Sequence, residues 1–313
     1  LPGGRRLTMR RFLKLVTGVA VLGAAGLGVV IAWPVGSAVT PIATEGNVDR
    51  GAYLARASGC IACHTNFEAG GAPLAGGAPL ETPFGTFYPP NLTTDPEHGM
   101  GEWTAEQFAK AVRQGIGPDG TPYYPSFPYT FYADFSDQDI ADLWAAFQTV
   151  PPVDEPAPEN DVSFPFDQRW GLKLWRAAFF YDPDTEPVEG RSGAWNRGRE
   201  LVRGAAHCGA CHTPRNLAGG RDIGASFAGN AQLPGGSKAP AIRPKDLVKN
   251  DWTVSNLAYA LQTGIIPSGD AFGGSMAEVV REGTRFLTPA DREAMALFLL
   301  NKDTVEAENP ASN

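Results

Sequence analysis

The four cysteines of this 313-residue chain fall in two copies of one arrangement, Cys60-Ile61-Ala62-Cys63-His64 and Cys208-Gly209-Ala210-Cys211-His212. Two thiols three positions apart share one helical turn and can add to the two vinyl groups of a haem, and the adjacent histidine then presents an imidazole to the iron. The pattern implies two covalently bound haem c groups, attached through Cys60, Cys63, Cys208 and Cys211, with His64 and His212 as proximal iron ligands. A four-cysteine zinc site uses pairs about 15–20 residues apart; here 145 residues separate them. A thioredoxin-like redox pair needs a βαβ setting, and no strand-rich segment surrounds either motif.

An electron-transfer haem commonly takes a second protein ligand, often a methionine thioether. Met276 follows His212 by 64 residues, in a Gly273-Gly274-Ser275-Met276 segment read as a glycine-flanked loop that approaches the second haem. No equivalent serves the first. The matching position is Phe127, which cannot bind iron, and only Met100 and His98 remain there as weak candidates, both ahead of the second helix rather than after it. Tyr123, Tyr124 and Tyr129 are further phenolic alternatives. His207 reads as a polar contact and Met295 as core. A first haem without a methionine leaves open a haem enzyme, or a protein that binds a gas, a sulfur compound or peroxide.

The elements that position these residues are written twice. Trp103 to Phe127 overlays Trp252 to Met276 at an offset of 149 without a gap, and the haem motifs correspond at 148. Each copy predicts a helix entering the motif (about 48–59 and 195–207), a second after Trp-Thr (104–114 and 253–263) and a third that closes it (137–149 and 289–300). Thr104, Thr253, Ser136 and Thr288 are the expected N-caps, and Gly115 and Gly264 the C-terminal stops. Strand signals are nearly absent, so the expected class is all-α. The expected organisation is a cytoplasmic start and anchor (1–40), a first haem domain (45–150), a proline-rich and aromatic link (151–190), a second haem domain (191–303) and a tail (304–313). Trp170, Trp175, Phe179 and Phe180 in the link are expected to pack between the domains.

Leu15 to Trp33 is uncharged and spans about 28 Å as a helix, close to a hydrocarbon core. Arg5, Arg6, Arg10, Arg11 and Lys14 precede it, so the positive-inside rule keeps the amino end cytoplasmic and exports the rest. The expectation is a single-pass inner-membrane anchor with the haem domains in the periplasm; a cleaved signal peptide with Gly36 and Ala38 at its cleavage site is the alternative. Met9 followed by two arginines resembles a natural start. Beyond the anchor lie all 34 acids but only 21 of the 26 bases, a net charge of −13. That balance excludes a nucleic-acid partner, which requires a Lys/Arg excess.

The chain resembles the membrane-anchored dihaem c-type cytochromes that serve periplasmic dehydrogenases, such as quinohaem alcohol dehydrogenases and molybdenum hydroxylases. The resemblance rests on Gly51-Ala52-Tyr53-Leu54, Thr82-Pro83-Phe84-Gly85-Thr86, Pro90-Asn91-Leu92-Thr93 and Gly101-Glu102-Trp103. It continues through Tyr124-Pro125-Ser126-Phe127-Pro128-Tyr129, Cys211-His212-Thr213-Pro214-Arg215-Asn216 and Met276-Ala277-Glu278-Val279-Val280. It implies two tandem class I cytochrome c-like domains plus the N-terminal transmembrane helix. It also implies a periplasmic dehydrogenase as electron donor, and a cytochrome, quinone or terminal oxidase as acceptor. The family's first-domain methionine falls at Phe127 or at Phe135, so the resemblance supplies no sixth ligand for the first haem.

Overall fold

Side-chain caps start the helices where the sequence places them. In the computed structural model, which describes residues 3–233 and 236–305, Thr104 and Thr253 each cap a ten-residue helix, α4 (Ala105–Gln114) and α10 (Val254–Thr263), the latter preceded by the short α9 (Pro244–Lys249). Each cap hydroxyl accepts the N–H of the third helical residue, whose own side chain returns to the cap N–H. Ser136 caps α5 (Asp137–Phe147) in the same way, and Thr288 caps α12 (Pro289–Leu300) with its hydroxyl alone, which accepts the Asp291 N–H. Gly115 and Gly264 end α4 and α10 in the left-handed conformation that glycine adopts without a Cβ penalty. The anticipated tail lies outside the described residues from 306 onward.

The helices leading into the motifs are α2 (Val48–Ala57) and α7 (Gly193–Arg203), followed by the single turns α3 (Cys60–Cys63) and α8 (Gly209–His212). Helix α7 stops four residues before the expected end, because Gly204 breaks it and its last carbonyls accept the N–H groups of Gly204, Ala206 and Cys208. Helix α2 crosses α5, and α7 crosses α12. Both crossings are glycine contacts: a Cβ on Gly51 would overlap the Asp142 carbonyl, and one on Gly198 the Ala294 carbonyl.

Two apolar cores result. Ala55, Leu74, Met100, Phe108, Ile140, Leu143 and Phe147 form the first, and Leu201, Val202, Leu257, Leu261, Met295 and Leu297 are among those forming the second. Leu54 and Phe135 pack against both, so the two groups of helices share a continuous apolar boundary. Each group carries an arginine–aspartate lock at its crossing. Arg50 holds Asp139 and Asp142, and Arg197 grips both oxygens of Asp291 at 2.9 Å. The second lock extends across the boundary, where the Tyr53 hydroxyl donates to Asp291 at 2.6 Å and accepts the Thr288 N–H at 3.0 Å.

Burial alone would raise the Asp291 pKa, but the hydrogen bonds from Arg197 and Tyr53 outweigh it and hold the carboxyl below its usual range. A folded pKa below the unfolded value near 3.9 adds stability that is present at neutral pH and lost as pH falls through the folded value. Asp291→Asn should cost about 1–3 kcal/mol at pH 7, with the gap to the unsubstituted protein closing at acid pH, below the ordinary carboxylate value near 3.9. Denaturant titrations at the two pH values check this.

Two departures from the sequence reading concern the connections. Three short strands are present: β1 (Leu80–Thr82) and β2 (Gly85–Phe87) form a hairpin, and β3 (Asp161–Val162) joins it from the proline-rich segment. Strands of two or three residues are too short to leave an alternating pattern. The proline-rich segment is strapped along the first helical group, with Asn91 Nδ2 donating to the Val153 and Glu155 carbonyls and the Thr94 hydroxyl to Val150.

Helix α6 (Gly171–Phe179) then bridges the groups through Trp175, Phe179 and the adjoining Phe180, whereas Trp170, also expected to pack there, stays exposed. Arg176 donates to the Gln114 carbonyl and lies over the Tyr129 ring, and Trp175 Nε1 donates to the Ala218 carbonyl. Phe164, Trp170 and Leu174 remain exposed. First in the chain runs α1 (Gly3–Ala32), whose segment Met9–Ala32 has a mean hydropathy of 2.3 and no buried residue.

Candidate haem-binding sites

Each histidine is held by the same scaffold. His64 closes its turn by donating its N–H to the Cys60 carbonyl at 2.9 Å, and His212 donates to Cys208 at 3.0 Å. The His64 Nδ1 lies 2.7 Å from the Pro90 carbonyl and the His212 Nδ1 2.7 Å from that of Pro240. A carbonyl only accepts, so Nδ1 carries the proton and Nε2 is left with its lone pair, the tautomer an iron ligand needs. The threonine after each histidine fixes the next loop: Thr65 Oγ1 accepts the Leu74 N–H and Thr213 Oγ1 the Phe227 N–H. Leu74 and Phe227 both sit at positive φ, 62° and 61°. Gly76 and Gly229 then donate back to the two histidine carbonyls.

The cysteines stand in pairs on their turns, Cys60 with Cys63 and Cys208 with Cys211. Burial pushes Cys60 and Cys208 up to about 12 and Cys63 up to about 11, each raised further by a neighbouring acidic group. A nucleophilic C-x-x-C pair has a lowered pKa, the opposite direction from these thiols. Among the described residues no three His, Cys, Asp or Glu side chains are gathered as a cage for a bare ion. Burial also lowers His64 to about 4, against the opposing pull of Pro90, and lowers His212, so both rings are neutral at physiological pH. Two thiols, a neutral imidazole with Nε2 free and an apolar surround fit a covalently held haem at each motif.

Met276 is the third residue of a helix, α11 (Gly274–Glu282), and not part of a loop. Gly273 and Gly274 form its start, with Gly274 at φ 53°. The side chain is half-buried against the second core. Its counterpart Phe127 stands among Tyr123, Tyr129 and Tyr132, with ring centroids 5.9–6.1 Å apart. Burial lifts Tyr123 to about 12, so its phenol stays protonated. Met100 is 2% exposed within the first core, packed with Leu74, Phe108 and Phe147. His98 turns its Nε2 toward Asp154 at 3.5 Å, on the strapped segment. The sequence reading missed the Pro90 and Pro240 carbonyls as histidine supports; a proline 26 and 28 residues past each histidine is their only trace in sequence.

A cytochrome c family profile matches residues 48–147. A diheme cytochrome c-type protein of Cereibacter sphaeroides is 40% identical over 310 residues, covering 95% of this chain and all of that one. The chain belongs to the dihaem c-type cytochromes. Other relatives are larger. The cytochrome c subunit of a quinone alcohol dehydrogenase from Gluconobacter oxydans is 39% identical over 280 residues, 86% of this chain and 58% of that subunit. The gluconate 2-dehydrogenase cytochrome c subunit of Pantoea cypripedii is 38% identical over 267 residues, covering 82% and 60%. This dihaem cytochrome thus spans little more than half the length of those subunits.

Proposed function

We propose that this dihaem cytochrome is an electron carrier tethered to the inner membrane, taking electrons from a periplasmic dehydrogenase and passing them to a cytochrome, quinone or terminal oxidase. The observation that carries the reading is the duplicated histidine scaffold, one copy followed by a methionine. We read the two helical groups as tandem class I cytochrome c domains, residues 45–150 and 191–303. Cys60, Cys63 and His64 hold one haem c; Cys208, Cys211 and His212 hold the other, with Met276 as its sixth ligand. Bound haem supplies a one-electron couple. The Pro90 and Pro240 carbonyls keep each imidazole oriented, and the two cores keep water away. The dehydrogenase partner is supported by the relatives named as dehydrogenase subunits, and the tether by the exposed apolar helix α1. The test is anaerobic mixing with a donor dehydrogenase: both haem bands should reduce and then reoxidise with an acceptor. If neither haem reduces, the reading fails.

A thioether raises the haem potential relative to harder or absent ligands. Met276→Ala should therefore lower the midpoint of one haem and leave the other unmoved, as read by optical redox titration.

Phe127 favours a second reading, in which the first haem keeps an open position that binds a gas, a sulfur compound or peroxide. Carbon monoxide distinguishes them. Spectra of the reduced protein that do not change would remove this reading, and a shift confined to one haem would support it.

A further inference from the structure

The residue before the first cysteine of each motif is Gly59 in one copy and His207 in the other, equivalent at the repeat offset of 148. Both have positive φ, 69° and 37°. Glycine adopts that conformation freely, whereas a β-carbon makes it unfavourable, and such positions persist where the surroundings demand them. The surroundings here are the other motif. A Cβ on Gly59 would lie 3.3 Å from His207 Cε1, so the bare glycine leaves room for the imidazole carried by its own counterpart.

Tyr132 completes the contact. Its hydroxyl donates to the Ser58 carbonyl at 2.7 Å, one residue before Gly59, and lies 3.3 Å from His207 Nδ1. That hydrogen being spent on Ser58, the Nδ1–H of His207 is shared between the Ala205 carbonyl at 2.9 Å and the Tyr132 oxygen. Tyr132 is 4% exposed, and its ring meets His207 edge-on at 5.8 Å and Phe127 at 5.9 Å. Nearby, α11 with Met276 packs on the Cys60–Cys63 turn. The two attachment turns thus abut, joined by one histidine and one tyrosine.

We propose that His207 and Tyr132 are positioning residues that fix the two haem-attachment turns against each other and so set electron exchange between the haems. In that exchange one electron leaves a ferrous haem, which becomes ferric, and enters a ferric haem, which becomes ferrous. No bond forms or breaks and no proton moves. The inference rests on the two-haem reading above, so the haem content of the unsubstituted full-length protein is measured first; a single haem per chain would overturn that reading rather than this one.

The test compares His207→Gly, which accepts the positive φ and removes only the ring, with Tyr132→Phe, which keeps the ring and removes the hydroxyl. In each, inter-haem equilibration is followed after a substoichiometric reducing pulse, and haem–haem magnetic coupling is read from paramagnetic resonance of the oxidised protein. His207→Gly should slow equilibration about tenfold or more, since small misplacements of reacting groups carry large rate penalties, and should weaken the coupling. Tyr132→Phe should act in the same direction to a smaller extent. Haem content and both midpoint potentials should stay unchanged, which a general loss of packing would not allow. Unchanged rates and coupling in both variants overturn the proposal, as does slowing that is fully accounted for by shifted potentials.

Discussion

A chain carrying Cys60→Ala and Cys63→Ala will hold one haem instead of two, and so will a chain carrying Cys208→Ala and Cys211→Ala. The two motifs lie 145 residues apart, and each histidine has its own proline carbonyl, its own threonine-fixed loop and its own core. On the proposed two-haem reading, no residue that holds one haem also holds the other. Intact mass falls by one haem in each variant, and the alkaline pyridine spectrum reads one haem per chain. A chain that lost both haems on removal of one pair would show that the motifs mature as a unit. The single substitution His64→Ala differs in kind: the thioethers remain, haem content stays at two, and only the spectrum of one iron changes.

Gly198→Ala and Gly51→Ala will each destabilise the protein by about 1–3 kcal/mol, the usual cost of forcing a methyl group into a packed contact. Here the obstacle is backbone: the Ala294 carbonyl for Gly198 and the Asp142 carbonyl for Gly51, with the Phe298 and Ala146 Cβ atoms at 2.9 Å behind them. A carbonyl in a helix cannot turn aside as a long side chain can, so α7 must move away from α12, or α2 from α5. At about 4–8 °C per kcal/mol for a unit near 100 residues, thermal midpoints should drop by several degrees or more. Gly193→Ala serves as the control. It lies in the same helix α7 with nothing within 4 Å of a Cβ, so alanine there should be neutral or slightly stabilising. Equal midpoints for Gly193→Ala and Gly198→Ala would show that the crossing is looser than described.

The helix starts and the single turns that carry Cys60–Cys63 and Cys208–Cys211 were legible in the sequence because their causes are local. A cap reaches three residues along the chain, and a C-x-x-C-H run occupies a single turn, so spacing alone specifies them. Thr104, Thr253, Ser136 and Thr288 are caps for that reason. The segment of Met276 was misread as a loop because two glycines stand ahead of it, yet Gly273 and Gly274 open a helix anchored by the buried Val280. Tertiary packing overrode the local preference of glycine.

What only the tertiary structure decided are the contacts between residues distant in sequence. The Tyr132 hydroxyl meets Ser58 across 74 residues, and the Tyr53 hydroxyl meets Asp291 across 238. The composition of a tyrosine or a proline does not reveal its partner, because the hydrogen bond depends on how two helix crossings orient the chain. His207 shows the division most clearly. Its place before Cys208 was plain in the sequence and suggested only a polar contact, while the partner it reaches, the bare face of its own counterpart Gly59, exists only once the two copies are folded against each other.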